Sequence, residues 1–159
     1  LITLLPEAVA EMNTHAREGY PHEVVGILAG DARTRTVQRA LGLINERADS
    51  PRNRYAVGPL ALQRAEQGLE AEGLTVLGYY HTHPDHPAQY SAYDRDHAWP
   101  NLSYVILSVV AGEVVDTLAW RLREDRSAMD AETIAPPDAQ SERPTPEAPE
   151  CRSEATAGR

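Results

Sequence analysis

Apolar positions along the chain switch between two periods. Pro6 to Gly19 carries Val9, Met12 and Ala16 at helical spacing, with proline in the first turn and glycine at the end, so it predicts a helix. Val24 to Ala29 is a short apolar run closed by Gly30-Asp31, which reads as a buried strand entering a turn. Arg35 to Ile44 completes a hairpin with it. Leu60 to Glu72 predicts a second helix, with Leu62, Ala65 and Leu69 on one face and Gly73 just past its end. Leu74 to His81 is extended and apolar, and Ser91 to Ala98 is a short helix. Leu102 to Val110 and Val114 to Leu122 are two strands joined by an Ala111-Gly112 turn. The pattern predicts an α/β sandwich with a mixed sheet. It stops near residue 125. The last 24 residues, from Pro136, hold five of the twelve prolines and no apolar period, so residues 126–159 read as a proline-rich, acidic, disordered tail.

Composition adds exclusions. The 159 residues suffice for one domain with its own core. The net charge is −9, which argues against nucleic acid or an anionic membrane surface as partner. No apolar run approaches the ~20 residues that a membrane span needs. All 15 basic residues are arginine, a bias that fits either genomic base composition or avoidance of lysine modification. The single cysteine, Cys151, cannot form an internal disulfide, and the first residues lack the basic segment of a signal peptide; both predict a cytoplasmic protein.

The chemistry concentrates between positions 81 and 97, which hold four of the six histidines. His81 and His83 end an apolar strand. Residues i and i+2 share a strand face, about 6.5–7 Å apart at Cα. Two imidazoles so placed can converge on one ion, at about 2.0–2.1 Å each for zinc. The turn with Pro84 and Pro87 returns the chain, so Asp94 can add a third, anionic ligand. Two histidines and a carboxylate leave a tetrahedral position for water, the layout of a catalytic zinc site. Each part has a plainer reading. His-x-His also occurs on solvated strands, and Ser91-x-x-Asp94 is also a helix capping box. Glu23, at the rim of an apolar strand, is either a general base or a residue facing solvent. Of the other histidines, His86 is expected in a solvated loop and His97 in packing or solvent. Trp99 is expected in the core.

Glu23, His81-x-His83-Pro84 and, after the seven residues that follow His83, Ser91-x-x-Asp94 together resemble the JAMM signature of the MPN-plus (JAB-type) zinc metalloproteases. The flanks agree: Gly26-Ile27-Leu28-x-Gly30, Asn45, Ser50-Pro51, Arg54-Tyr55, Gly78-x-Tyr80 and Trp120-Arg121 all resemble family positions. The resemblance covers residues 1–125, which it implies form the catalytic domain. It implies a three-layer, cytidine-deaminase-like sandwich of helices around a mixed, mostly antiparallel sheet. It implies one Zn²⁺ per chain on His81, His83 and Asp94, with Glu23 as the base holding a water and Ser91 as the oxyanion donor. The implied reaction is hydrolysis of the amide after the C-terminal Gly-Gly of a ubiquitin-like, β-grasp sulfur-carrier protein. The leaving group is a lysine conjugate, a cysteine adduct or a C-terminal extension. The short stretch from Gly30 to Leu60 predicts a compact, prokaryotic-type member. Two alternatives differ in class or substrate: a noncatalytic MPN scaffold, and a metallopeptidase for other peptides. Exposed sheet edges are compatible with a homodimer.

Overall fold

The computed structural model describes residues 1–44 and 58–137. Among these residues eight strands form one sheet, flanked by three helices. In chain order these are β1 (Ile2–Leu4), α1 (Pro6–Gly19), β2 (Val25–Asp31), β3 (Thr36–Leu43), α2 (Pro59–Ala71), β4 (Thr75–Pro84), α3 (Ala92–His97), β5 (Ser103–Val110), β6 (Glu113–Leu122), β7 (Met129–Glu132) and β8 (Ile134–Ala135). The sheet order is β7-β6-β5-β4-β2-β3-β1-β8. Four neighbouring pairs are antiparallel and three are parallel, including β4 with β5. The expected mixed, mostly antiparallel sheet is therefore present.

Alternation along the strands sorts the core into two faces. Val105, Leu107 and Val109 of β5 join Leu28, Tyr80 and the buried Ala8, Met12 and Ala16 of α1. Tyr104 and Ile106 point the other way, toward Ala98, Trp120 and Met129. On that second face Val25, Ile27 and Ala29 of β2 pack with Leu69, Leu62 and Ala65 of α2. Helices thus cover both sides, as the three-layer expectation requires.

Two glycines allow strands to close on the site. A Cβ on Gly26 would collide with the ring of Tyr80, whose hydroxyl is hydrogen-bonded to His15 Nδ1 at 2.8 Å. A Cβ on Gly78 would collide with the carbonyl oxygen of Ser103, where β5 begins beside β4. The Ala111-Gly112 turn has φ of 51° and 81°, the left-handed pair a tight hairpin needs.

The sheet extends beyond the boundary expected at residue 125. β7 pairs with β6 from Ala119↔Glu132 to Leu122↔Met129, and β8 pairs with β1 at the opposite edge. The segment is too short to show an apolar period, but it is anchored by a buried carboxylate. Glu132 accepts from Arg35 at 3.1 Å and from Ser103 Oγ at 2.5 Å. The strand β1 was also too short to be legible. Asn45, Ser50-Pro51, Arg54-Tyr55, the rest of the tail and Cys151 lie outside the described residues. Among the described residues no helix is long and apolar enough to cross a membrane.

Candidate metal centre

The two histidines leave β4 on its second face, as period-2 geometry requires. Their Nε2 atoms approach to 3.1 Å. His81 is buried and His83 is partly open to a cleft. The turn after β4 reverses the chain, and α3 begins with a complete capping box. Ser91 Oγ accepts from the Asp94 amide at 3.1 Å, and the Ser91 amide donates to Asp94 Oδ2 at 2.7 Å. Ser91 Oγ also donates to Oδ2, at 2.7 Å. The plainer reading of Ser91-x-x-Asp94 as a cap is therefore correct, and it does not exclude the other. With Oδ2 held by Ser91, Asp94 Oδ1 lies 3.1 Å from His81 Nε2, and Oδ2 lies 3.6 Å from His83 Nε2.

Glu23 reaches the same point from the segment just before β2. It is 4% exposed, so the alternative of a solvated strand end does not hold. Its Oε1 lies 4.0 Å from His81 Nε2. A donor atom from each of Glu23, His81 and His83 falls within 4.8 Å of the others, so these residues can hold a metal ion. The donor set suits zinc. Imidazole nitrogens and a carboxylate oxygen are its usual ligands, and a tetrahedron with bonds of about 2.0–2.1 Å has edges of about 3.3 Å. The 3.1 and 3.6 Å separations among His81, His83 and Asp94 bracket that edge.

The electrostatics follow from burial and neighbours. Burial pushes the Glu23 carboxyl up to about 8, with the Asp94 charge adding to the rise and His83 opposing it. Burial alone would also raise Asp94, but hydrogen bonds from His81 and His83 hold it well below the usual carboxylate range. Burial lowers His81. For His83 burial is outweighed by Asp94 and by the Pro87 carbonyl, and the imidazole is raised.

The cleft at this centre has a volume of about 350 Å³. Glu23, His83, Ser91 and Asp94 line it, with Tyr90 and Tyr93 among the walls. His86 is an exposed cleft residue, as expected. His97 stacks on Tyr93 at 3.9 Å and reaches the Tyr93 carbonyl, so it packs and does not touch the ligands. Trp99 departs from expectation. It is 68% exposed, because the chain turns outward after the buried Ala98 and only the Trp99 amide is fixed, to Tyr104 Oη at 2.6 Å. One positioning residue, Thr82, was missed in the sequence. Its only signal there is its place between the two histidines.

Known proteins resemble this chain in sequence and fold. The family described as prokaryotic homologs of the JAB domain matches residues 5–123. A desampylase from Haloferax volcanii is 38% identical over 112 residues, which is 67% of this chain and 80% of that protein. A probable TtuB-protein conjugate cleaving protease from Thermus thermophilus is 38% identical over 107 residues, covering 67% of this chain and 70% of the relative. The solution structure of a protein from Desulfitobacterium hafniense superposes with a TM-score of 0.73 at 33% identity, over 86% of this chain and 93% of that one. A JAB1/MPN domain protein from Archaeoglobus fulgidus shares the fold at a TM-score of 0.53 and 12% identity, over 86% and 98% of the two chains.

Proposed function

The chain belongs to the prokaryotic JAB-domain family and is a hydrolase, and on that premise we propose that it is a zinc isopeptidase that cleaves after the C-terminal Gly-Gly of a β-grasp carrier protein. The observation that carries this reading is the convergence of His81, His83 and Asp94 at 3.1–3.6 Å, with Glu23 beside them in an open cleft. The relatives named as a desampylase and a conjugate-cleaving protease support the substrate class.

His81, His83 and Asp94 would hold the ion. When bound there, zinc supplies Lewis acidity that polarises a carbonyl and acidifies water toward neutral pH. Glu23 takes a proton from the attacking water and returns it to the leaving amine, as base first and acid second. A carboxylate buried beside the ligands can serve both halves of that cycle. Ser91 Oγ lies at the exposed rim, so it can turn from Asp94 Oδ2 toward a developing oxyanion. The Ser91 amide keeps its bond to Asp94 meanwhile, so the ligand stays in place.

The test is a cleavage assay with product masses. The protein and its Glu23→Gln variant are mixed with β-grasp carriers ending in Gly-Gly, each presented as a lysine conjugate, a cysteine adduct and a C-terminal fusion. Cleavage after Gly-Gly by the parent alone is the expected result. A zinc-loaded protein that leaves all three intact refutes the substrate assignment. A protein that neither cleaves nor binds zinc is a scaffold.

A further inference from the structure

Four consecutive residues of the turn between the histidines and α3 are each fixed by a hydrogen bond. The Asp85 amide donates to the Val109 carbonyl at 2.7 Å, and Tyr20 Oη donates to the Asp85 carboxylate at 3.0 Å. Ser108 Oγ donates to the His86 carbonyl at 2.7 Å. His83 Nδ1 bonds the Pro87 carbonyl at 2.9 Å. Trp120 Nε1 donates to the Ala88 carbonyl at 3.0 Å, with its ring edge-on to Tyr90 at 5.0 Å. Ser108 and Trp120 are buried donors on β5 and β6, one and two strands away from the histidines.

The Pro87 carbonyl is the critical member. A carbonyl can only accept, so His83 carries a proton on Nδ1, and it is Nε2 that turns toward the centre. That carbonyl sits between the two carbonyls that Ser108 and Trp120 hold. We propose that Ser108 and Trp120 are positioning residues for the metal centre: they clamp the turn on either side of Pro87, and so set the tautomer and ring orientation of His83. Neither touches the reacting atoms. Partners that orient a ligating imidazole in this way typically contribute about 10–100-fold in metal affinity.

The clamp has a readout that needs no metal and no substrate. In the metal-free protein, side-chain ¹H–¹⁵N correlation spectra assign the His83 tautomer. With the imidazole neutral, in alkaline buffer, the parent should show Nδ1–H alone. Ser108→Ala and Trp120→Phe should each give a mixture of tautomers, and Ser108→Thr, which keeps the hydroxyl, should restore the parent pattern. Zinc affinity, read by competition with a chromogenic chelator, should fall about 10-fold or more in the first two variants and recover in Ser108→Thr. Thermal unfolding is followed alongside, and Ser108→Ala carries the test if Trp120→Phe does not fold. Parent-like tautomer and zinc affinity in Ser108→Ala would overturn the proposal. The affinity arm rests on the zinc reading above. A parent that binds no zinc refutes that reading, while the tautomer still decides the clamp.

Discussion

Val24 and Thr82 are tied twice. The Val24 amide donates to Thr82 Oγ1 at 2.9 Å, and the Thr82 amide donates to the Val24 carbonyl at 3.0 Å. This pair fixes the backbone next to Glu23 against the backbone between the two histidines. Replacing Thr82 with valine keeps the shape and leaves a buried N–H without its acceptor. That should cost about 1–3 kcal/mol by urea denaturation, and Thr82→Ser should recover most of it.

The proposed roles of the site residues separate by metal content and turnover measured on the same preparations. His83→Ala and Asp94→Ala should lose stoichiometric zinc by mass spectrometry. Glu23→Gln should keep zinc and lose turnover by at least about 10²–10⁴. Ser91→Ala should keep zinc and retain a residual rate about 10²–10³ below the parent. Loss of zinc from Glu23→Gln would make Glu23 a ligand and remove it as the base.

In the metal-free protein Glu23 also predicts a pH dependence. Its folded carboxyl titrates at about 8, above the ordinary 4.5, so the folded state binds the proton more tightly than the unfolded state. Its contribution is present in full below about 4.5 and is lost as pH rises to about 8. The parent should therefore lose stability relative to Glu23→Gln across that window, with a slope approaching about 1.4 kcal/mol per pH unit. Asp94, held low, acts in the opposite sense and only in acid. Denaturation midpoints at pH 5, 6.5 and 8 check this; parallel curves for the two proteins would refute it.

The buried carboxylate of Glu132 makes residues 126–137 part of the folded unit. Glu132→Ala removes the buried carboxylate that Arg35 and Ser103 share and should cost about 3 kcal/mol or more. A chain ending at residue 125 should be destabilised at least as much, measured by the denaturant midpoint. A truncated chain as stable as the parent would show that β7 and β8 only decorate the sheet.

Elements with several turns or a full strand of apolar period were legible: α1 is predicted and observed at Pro6–Gly19. Strands of two to four residues were not, because β1, β7 and β8 gain their order from partners far along the chain. The meeting of His81, His83 and Asp94 was legible through spacing. His-x-His fixes a face, and the proline turn returns α3 to it. Burial was not, so the sequence left Glu23 between base and solvated rim, and placed Trp99 in the core. A tryptophan after the last turn of a helix carries no period to show which way it points. The clamp was least visible, since Ser108 and Trp120 meet the turn only after three strands have paired.

Asp94 serves two masters. Its Oδ2 closes the first turn of a six-residue helix, while the same side chain faces both imidazoles. A helix this short has little cooperative stability of its own. On the proposed assignment, the order of α3 and the occupancy of the centre would be thermodynamically reciprocal. An ion held by Asp94 would fasten the helix start, and whatever orders α3 would tighten the grip on the ion by the same factor.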